Sequence, residues 1–92
     1  MSDGPQYGLR VTGPAERQLG RLSEATAAAI VEFMLGPLLD NPRRVGGPLQ
    51  RELAGLFSTR RGAYRVVCEI LEDEAQVVVH RIDHRATVYR PR

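Results

Sequence analysis

LFSTRRGAYRVVCEILEDEAQVVVHRI, residues 56–82, is the stretch that decides the fold. Apolar and polar side chains alternate along Leu56–Arg60 and again along Ala63–Leu71, and Val77-Val78-Val79 centres a third segment, Gln76–Ile82. Alternation of this kind, rich in β-branched residues, marks half-buried strands. Arg61-Gly62 and the acidic run Glu72-Asp73-Glu74 separate the segments as turns. Glycine reaches conformations other residues avoid, and a polar cluster belongs in solvent. Three strands joined by such short turns form an antiparallel meander.

The first turn says which way the arginines point. A two-residue loop at Arg61-Gly62 pairs Arg60 with Ala63, Thr59 with Tyr64 and Ser58 with Arg65. Side chains alternate along a strand. Phe57, Thr59, Tyr64, Val66, Cys68 and Ile70 then share one face, apolar enough to be covered. Ser58, Arg60, Arg65, Val67 and Glu69 share the other, with Arg60 and Arg65 diagonal neighbours. Like charges so close repel, and a folding argument alone gives no reason to place them there. A plain solvated sheet face is the competing explanation, with Glu69 serving Arg65.

Outward toward the N-terminus, Tyr7–Thr12 alternates again and reads as a short strand. Gly13-Pro14 opens a helix, because proline suits the first helical position, and Ala15, Leu19 and Leu22 form its apolar stripe. Ser23 is a good N-cap for a second helix, whose apolar positions include Ala27, Ile30, Val31, Met34, Leu35 and Leu38. Gly36-Pro37 should kink or interrupt it, and Asp40-Asn41-Pro42 ends it. Arg43–Ala54, containing Gly46, Gly47 and Pro48, reads as a loop. The order β-α-α-β-β-β defines an α+β fold: a helix hairpin packed on one face of a sheet, as a single domain over residues 1–92. Leu19, Ile30, Met34, Tyr64, Val66 and Ile70 are the expected core.

Composition narrows the function. The net charge is +2, and every cationic side chain is Arg, with no Lys. Through Pro42 there are three Arg against five acids; from Arg43 onward there are ten against six. Guanidinium groups hold phosphates with a planar fork and stay charged, so the basic half is a candidate RNA or DNA surface. Cys68 is the only cysteine, which excludes an intrachain disulfide and fits a reducing, cytoplasmic setting. The opening residues lack the features of a signal peptide, and no apolar run approaches the roughly 20 residues that span a bilayer. With one Cys and two His, His80 and His84, no metal site is expected. Gly46-Gly47-Pro48 lacks the lysine of a phosphate-binding loop, and there is no serine nucleophile elbow. No cofactor is expected.

Two runs carry a family resemblance. Arg60-x-Gly62-x-Tyr64-Arg65-Val66-Val67, inside Leu53–Ile70, resembles the signature hairpin of the RelE/ParE toxin superfamily. Val77–Tyr89, containing His80, Arg81, His84 and Arg85 and followed by Arg90, resembles the family's closing strand and His-Arg-x-x-x-Tyr element. The helical stretch Glu32–Pro42 is similar to RelE members of actinobacteria. The resemblance covers nearly the whole chain. It implies a twisted antiparallel sheet against a helix hairpin, and a ribosome-dependent endoribonuclease that cleaves mRNA in the A site. In that reaction the ribose 2′-hydroxyl attacks the adjacent phosphate and leaves a 2′,3′-cyclic phosphate. The catalytic set it implies is Arg60, Arg65, His84, Arg85 and Tyr89. Arg65 and Arg85 clamp the phosphate, Arg60 adds positive potential, Tyr89 stacks on a base and His84 is the candidate base. Arg61, Arg81 and Arg90 are the RNA-binding set. The implied partners are a cognate antitoxin, the ribosome and mRNA, with no membrane and no small-molecule cofactor. One departure stands out: RelE types that use lysines on the strand before the turn have them where this chain carries Leu56 and Ser58. A ParE-like inhibitor of DNA gyrase, or a non-catalytic member acting with its antitoxin in DNA-binding autorepression, are the alternative readings.

Overall fold

The computed structural model describes residues 7–49 and 55–84. Strand β1 (Gly8–Val11) leads into helix α1 (Gly13–Gly20) and helix α2 (Glu24–Phe33). A π-helical segment, Met34–Leu38, continues α2, and Asn41, with φ −156° and ψ 82°, separates it from the one-turn helix α3 (Pro42–Val45). Strands β2 (Gly46–Pro48), β3 (Leu56–Arg61), β4 (Tyr64–Leu71) and β5 (Gln76–His84) follow. The sheet order is β1-β5-β4-β3-β2. The meander β3-β4-β5 is antiparallel as expected, β2 adds to it antiparallel, and β1 joins β5 parallel at the far edge.

Local sequence explains the helix hairpin. Thr12 caps α1 by accepting from the Ala15 N–H, and Ser23 caps α2 by accepting from the Thr26 N–H. Each satisfies one of the orphan donors of a helix start. Gly36-Pro37 does not break the helix. The turn widens instead, which absorbs a residue without an N–H, and it leaves Met34 and Leu38 buried. The residues read as a loop after Arg43 contribute β2 as well. There Gly46 lies so close to β3 that a Cβ would meet the Ser58 carbonyl at 3.0 Å.

The core lies between the helices and one sheet face: Ala15, Ile30, Met34, Leu38, Leu39, Val66, Cys68, Val77, Val79 and Ile82. Of the expected core residues, Ile30, Met34 and Val66 are fully buried. Leu19 and Tyr64 are half-buried against that core, and Ile70 is half-buried near the end of β4. Buried Thr59 donates its hydroxyl to the Val45 carbonyl at 2.6 Å, so its burial carries no unmet polar group. No helix among the described residues is long and apolar enough to cross a membrane.

The hairpin register corrects one expectation. The two-residue loop is Gly62-Ala63, not Arg61-Gly62, so Arg61 pairs with Tyr64 and Arg60 with Arg65. The physical reason is the first loop position, where Gly62 takes φ +63°. Glycine holds that conformation cheaply and arginine does not. The slip moves each pairing by two residues, an even number. Every side chain therefore keeps its face, while Arg60 and Arg65 move from diagonal to directly opposite.

Candidate nucleic-acid interface

Strand β5 contains the feature that shapes the site. Its pairing with β4 shifts by one between Val67 and Cys68: Val67 faces Arg81, whereas Cys68 faces Val79. His80 is the extra residue, a β-bulge. A bulge re-aims every side chain beyond it. Strict alternation from Val77 and Val79 would send Arg81 toward the helices. With the bulge, His80 and Arg81 both lie on the outer face, away from the helices. Asp83 joins them there, and Ile82 turns inward to the core. The signal was present in the sequence as a break of phase, since apolar Ile82 is out of step with Val77 and Val79.

Three rows cross this outer face. Arg60, Arg65 and Asp83 form one; Ser58, Val67 and Arg81 the next; Leu56, Glu69 and Val78 the third. Arg81 Nη2 pairs with Asp83 Oδ2 at 2.6 Å, and the Asp83 side chain is only 10% exposed. His80 Nε2 meets Glu69 Oε1 at 3.0 Å. Arg65, Val67, His80, Arg81 and Asp83, with Leu49 and Leu56, line a cleft of about 120 Å³. Leu49 is held over it by its N–H bond to the Leu56 carbonyl, 2.8 Å long. Charged groups at the edge of an apolar-walled cleft act at lower effective dielectric than on an open surface, so these arginines can attract and orient a phosphodiester.

The remaining sequence-expected residues fall elsewhere. Arg61, opposite Tyr64, lies on the helix-side face and is exposed. With Arg60 it also edges a groove beside Glu32, Phe33 and Pro37. His84 is the last residue of β5 rather than a residue beyond it. It packs edge-on against Tyr64, ring centroids 5.1 Å apart at 88°, in a groove shared with Gln18, Arg21 and Leu22 of the helix side. His84 and the Arg60–Arg65 pair thus lie on opposite faces of the sheet. Arg85, Tyr89 and Arg90 lie outside the described residues. Sequence reasoning missed the outer-face placement of His80, its partner Glu69, and Asp83 as the anchor of Arg81. Gln18 was missed too: its Oε1 accepts from the Ile82 N–H at 2.6 Å. Thr12 Oγ1 donates to the His80 carbonyl. Together they cover the β5 edge where β1 stops.

Burial pushes the Cys68 thiol up from its ordinary 9.0 to about 11. That makes it a packing residue rather than a nucleophile. Among the described residues no three His, Cys, Asp or Glu side chains gather as metal ligands.

Comparisons with known proteins agree with this architecture. A family model described as the ParE toxin of the type II toxin–antitoxin system parDE matches residues 9–89. Toxin RelG of Mycobacterium tuberculosis is 50% identical over 84 residues, 91% of this chain and 97% of the relative. Toxin RelE of the same organism is 49% identical over 90 residues, 98% of this chain and 93% of the relative. The crystal structure of the M. tuberculosis toxin–antitoxin complex RelBE2 contains a chain that superposes with a TM-score of 0.84 at 49% identity, covering 88% of this chain and 99% of that one. The chain therefore belongs to the ParE toxin family of type II toxin–antitoxin systems, the RelE/ParE group that its hairpin and closing strand resemble.

Proposed function

We propose that this toxin is a ribosome-dependent endoribonuclease that cleaves mRNA in the A site and so stops translation in the cytoplasm. The observation that supports the reading is the convergence of Arg60, Arg65 and Arg81 on one face of a hydrogen-bonded sheet. Attack of a ribose 2′-oxygen on the adjacent phosphorus builds a phosphorane with more negative charge than the phosphodiester. Guanidinium groups already in position lower its energy more than that of the ground state. Arg65 is held by β-strand neighbours on both sides, the rigidity such preorganisation requires. In this proposal Arg85 and Tyr89 complete the set, one at the phosphate and one against a base. Arg61 and Arg90 add backbone contacts.

The proposal includes an antitoxin that neutralises the chain. The antitoxin in the RelBE2 complex assembles with that complex's toxin, and an acidic segment across the outer face here would cover Arg60, Arg65 and Arg81. Co-expression with a neighbouring antitoxin gene should restore growth that the toxin alone arrests.

The experiment is primer extension on mRNA bound to programmed ribosomes. Cleavage within the A-site codon, absent on naked RNA, is the expected result. No cleavage, combined with inhibition of DNA gyrase, would assign the chain to the ParE-like activity. Neither activity, with operator binding beside an antitoxin, would make it a non-catalytic repressor subunit.

A further inference from the structure

We propose that His80, oriented by Glu69, takes the proton from the attacking 2′-hydroxyl; this rests on the cleavage reading above. Three observations carry it. The bulge turns His80 onto the same face as Arg65 and Arg81. His80 lines the cleft those two arginines border. Its Nε2 sits 3.0 Å from Glu69 Oε1. An imidazole that donates Nε2–H to a carboxylate presents its lone pair at Nδ1, and the carboxylate fixes the ring in that orientation. Among the described residues of the outer face, no other side chain is placed to do this work at neutral pH. Arg60, Arg65 and Arg81 keep their protons, Glu69 is engaged by His80, and Asp83 is engaged by Arg81. The other histidine, His84, is on the opposite face.

The step balances simply. His80 Nδ1 accepts the 2′-hydroxyl proton while the 2′-oxygen bonds to phosphorus. The bond from phosphorus to the 5′-oxygen breaks, and that oxygen leaves with a proton from water. The products are a 2′,3′-cyclic phosphate and a 5′-hydroxyl. Among the described residues, the charged groups facing His80 are Glu69 and Arg65 from β4 and Arg81 and Asp83 from β5, while Leu49 and Leu56 line the cleft without charge.

The test is single-turnover mRNA cleavage on ribosomes at saturating purified toxin, from pH 5.5 to 8.5, with ribosome affinity measured separately. Wild type should show a rate that rises with pH as the base loses its proton and then levels. His80→Ala should lower the plateau by on the order of 10²–10⁴, abolish the rising limb, leave ribosome affinity unchanged and regain activity with added imidazole. His80→Gln keeps the volume and a donor to Glu69, so it covers the case in which His80→Ala folds poorly, and it should be as slow. Glu69→Gln should slow cleavage less than His80→Ala at unchanged affinity. Wild-type rates and pH profiles in both His80 variants, or loss of the limb in His84→Ala instead, would overturn the assignment while leaving the cleavage reading intact. A silent wild type removes the cleavage reading itself, and this assignment with it.

Discussion

Arg65 stands directly opposite Asp83 across the β4–β5 ladder, and Asp83 in turn holds Arg81 in a 2.6 Å ion pair. One nearly buried carboxylate therefore pairs with Arg81 and lies across the ladder from Arg65, another of the arginines that make the outer face cationic. A lone carboxylate at this depth would be costly; paired with the Arg81 guanidinium it becomes an anchor. Asp83→Asn should free the Arg81 side chain and cost about 1–3 kcal/mol of stability. Urea denaturation with an unchanged m-value is the measurement, and an unmoved midpoint would show that the pair adds nothing to folding.

Arg65 should matter more to cleavage than the exposed arginines do. Arg65→Ala should lower cleavage at saturating toxin by on the order of 10²–10³. Arg65→Lys should recover only part of it, since an ammonium cannot form the bidentate fork. Wild-type cleavage by Arg65→Ala would remove this residue from the site.

Stability should follow burial rather than strand position. Ile30 is 1% exposed in the centre of the core, whereas Ile70 is half-buried near the end of β4. Ile30→Ala should cost about 2–5 kcal/mol and Ile70→Ala clearly less. Equal losses in chemical denaturation would mean that Ile70 packs more tightly than its exposure indicates.

Ala75, in the turn between β4 and β5, has φ +52°. A side chain in the left-handed region costs about 1–2 kcal/mol, and glycine there costs little. Ala75→Gly should therefore raise the thermal midpoint or leave it level, although glycine substitutions usually lower it by adding freedom to the unfolded chain. A clear drop would contradict the conformation of this turn.

Cys68 gives a pH signature. Its folded value of about 11 lies above the ordinary 9.0, so the folded state favours the neutral thiol. That contribution is complete below pH 9 and is lost as pH rises toward 11. Wild type should lose stability across that window relative to Cys68→Ala, and the native thiol should resist alkylation at pH 7–8. Rapid labelling of the folded protein would contradict its burial.

Much of this architecture is local and was legible in the chain. Thr12 and Ser23 cap helices, the apolar periods of residues 15–38 and 56–82 assign helix and strand, and an even register slip preserves each side chain's face, so Arg60 and Arg65 could be placed together without knowing the loop. The tertiary structure alone decided three things. It chose Gly62 for the first loop position, because only glycine holds that backbone at low cost. It set β1 parallel against β5, a pairing between segments more than 60 residues apart that no local pattern encodes. It inserted the bulge at His80, because Ile82 must reach the core beside Val66 while Val77 and Val79 already fill it further along. That last choice, made by packing on the helix side, brings His80, Arg81 and Asp83 onto the outer face and leaves His84 on the other.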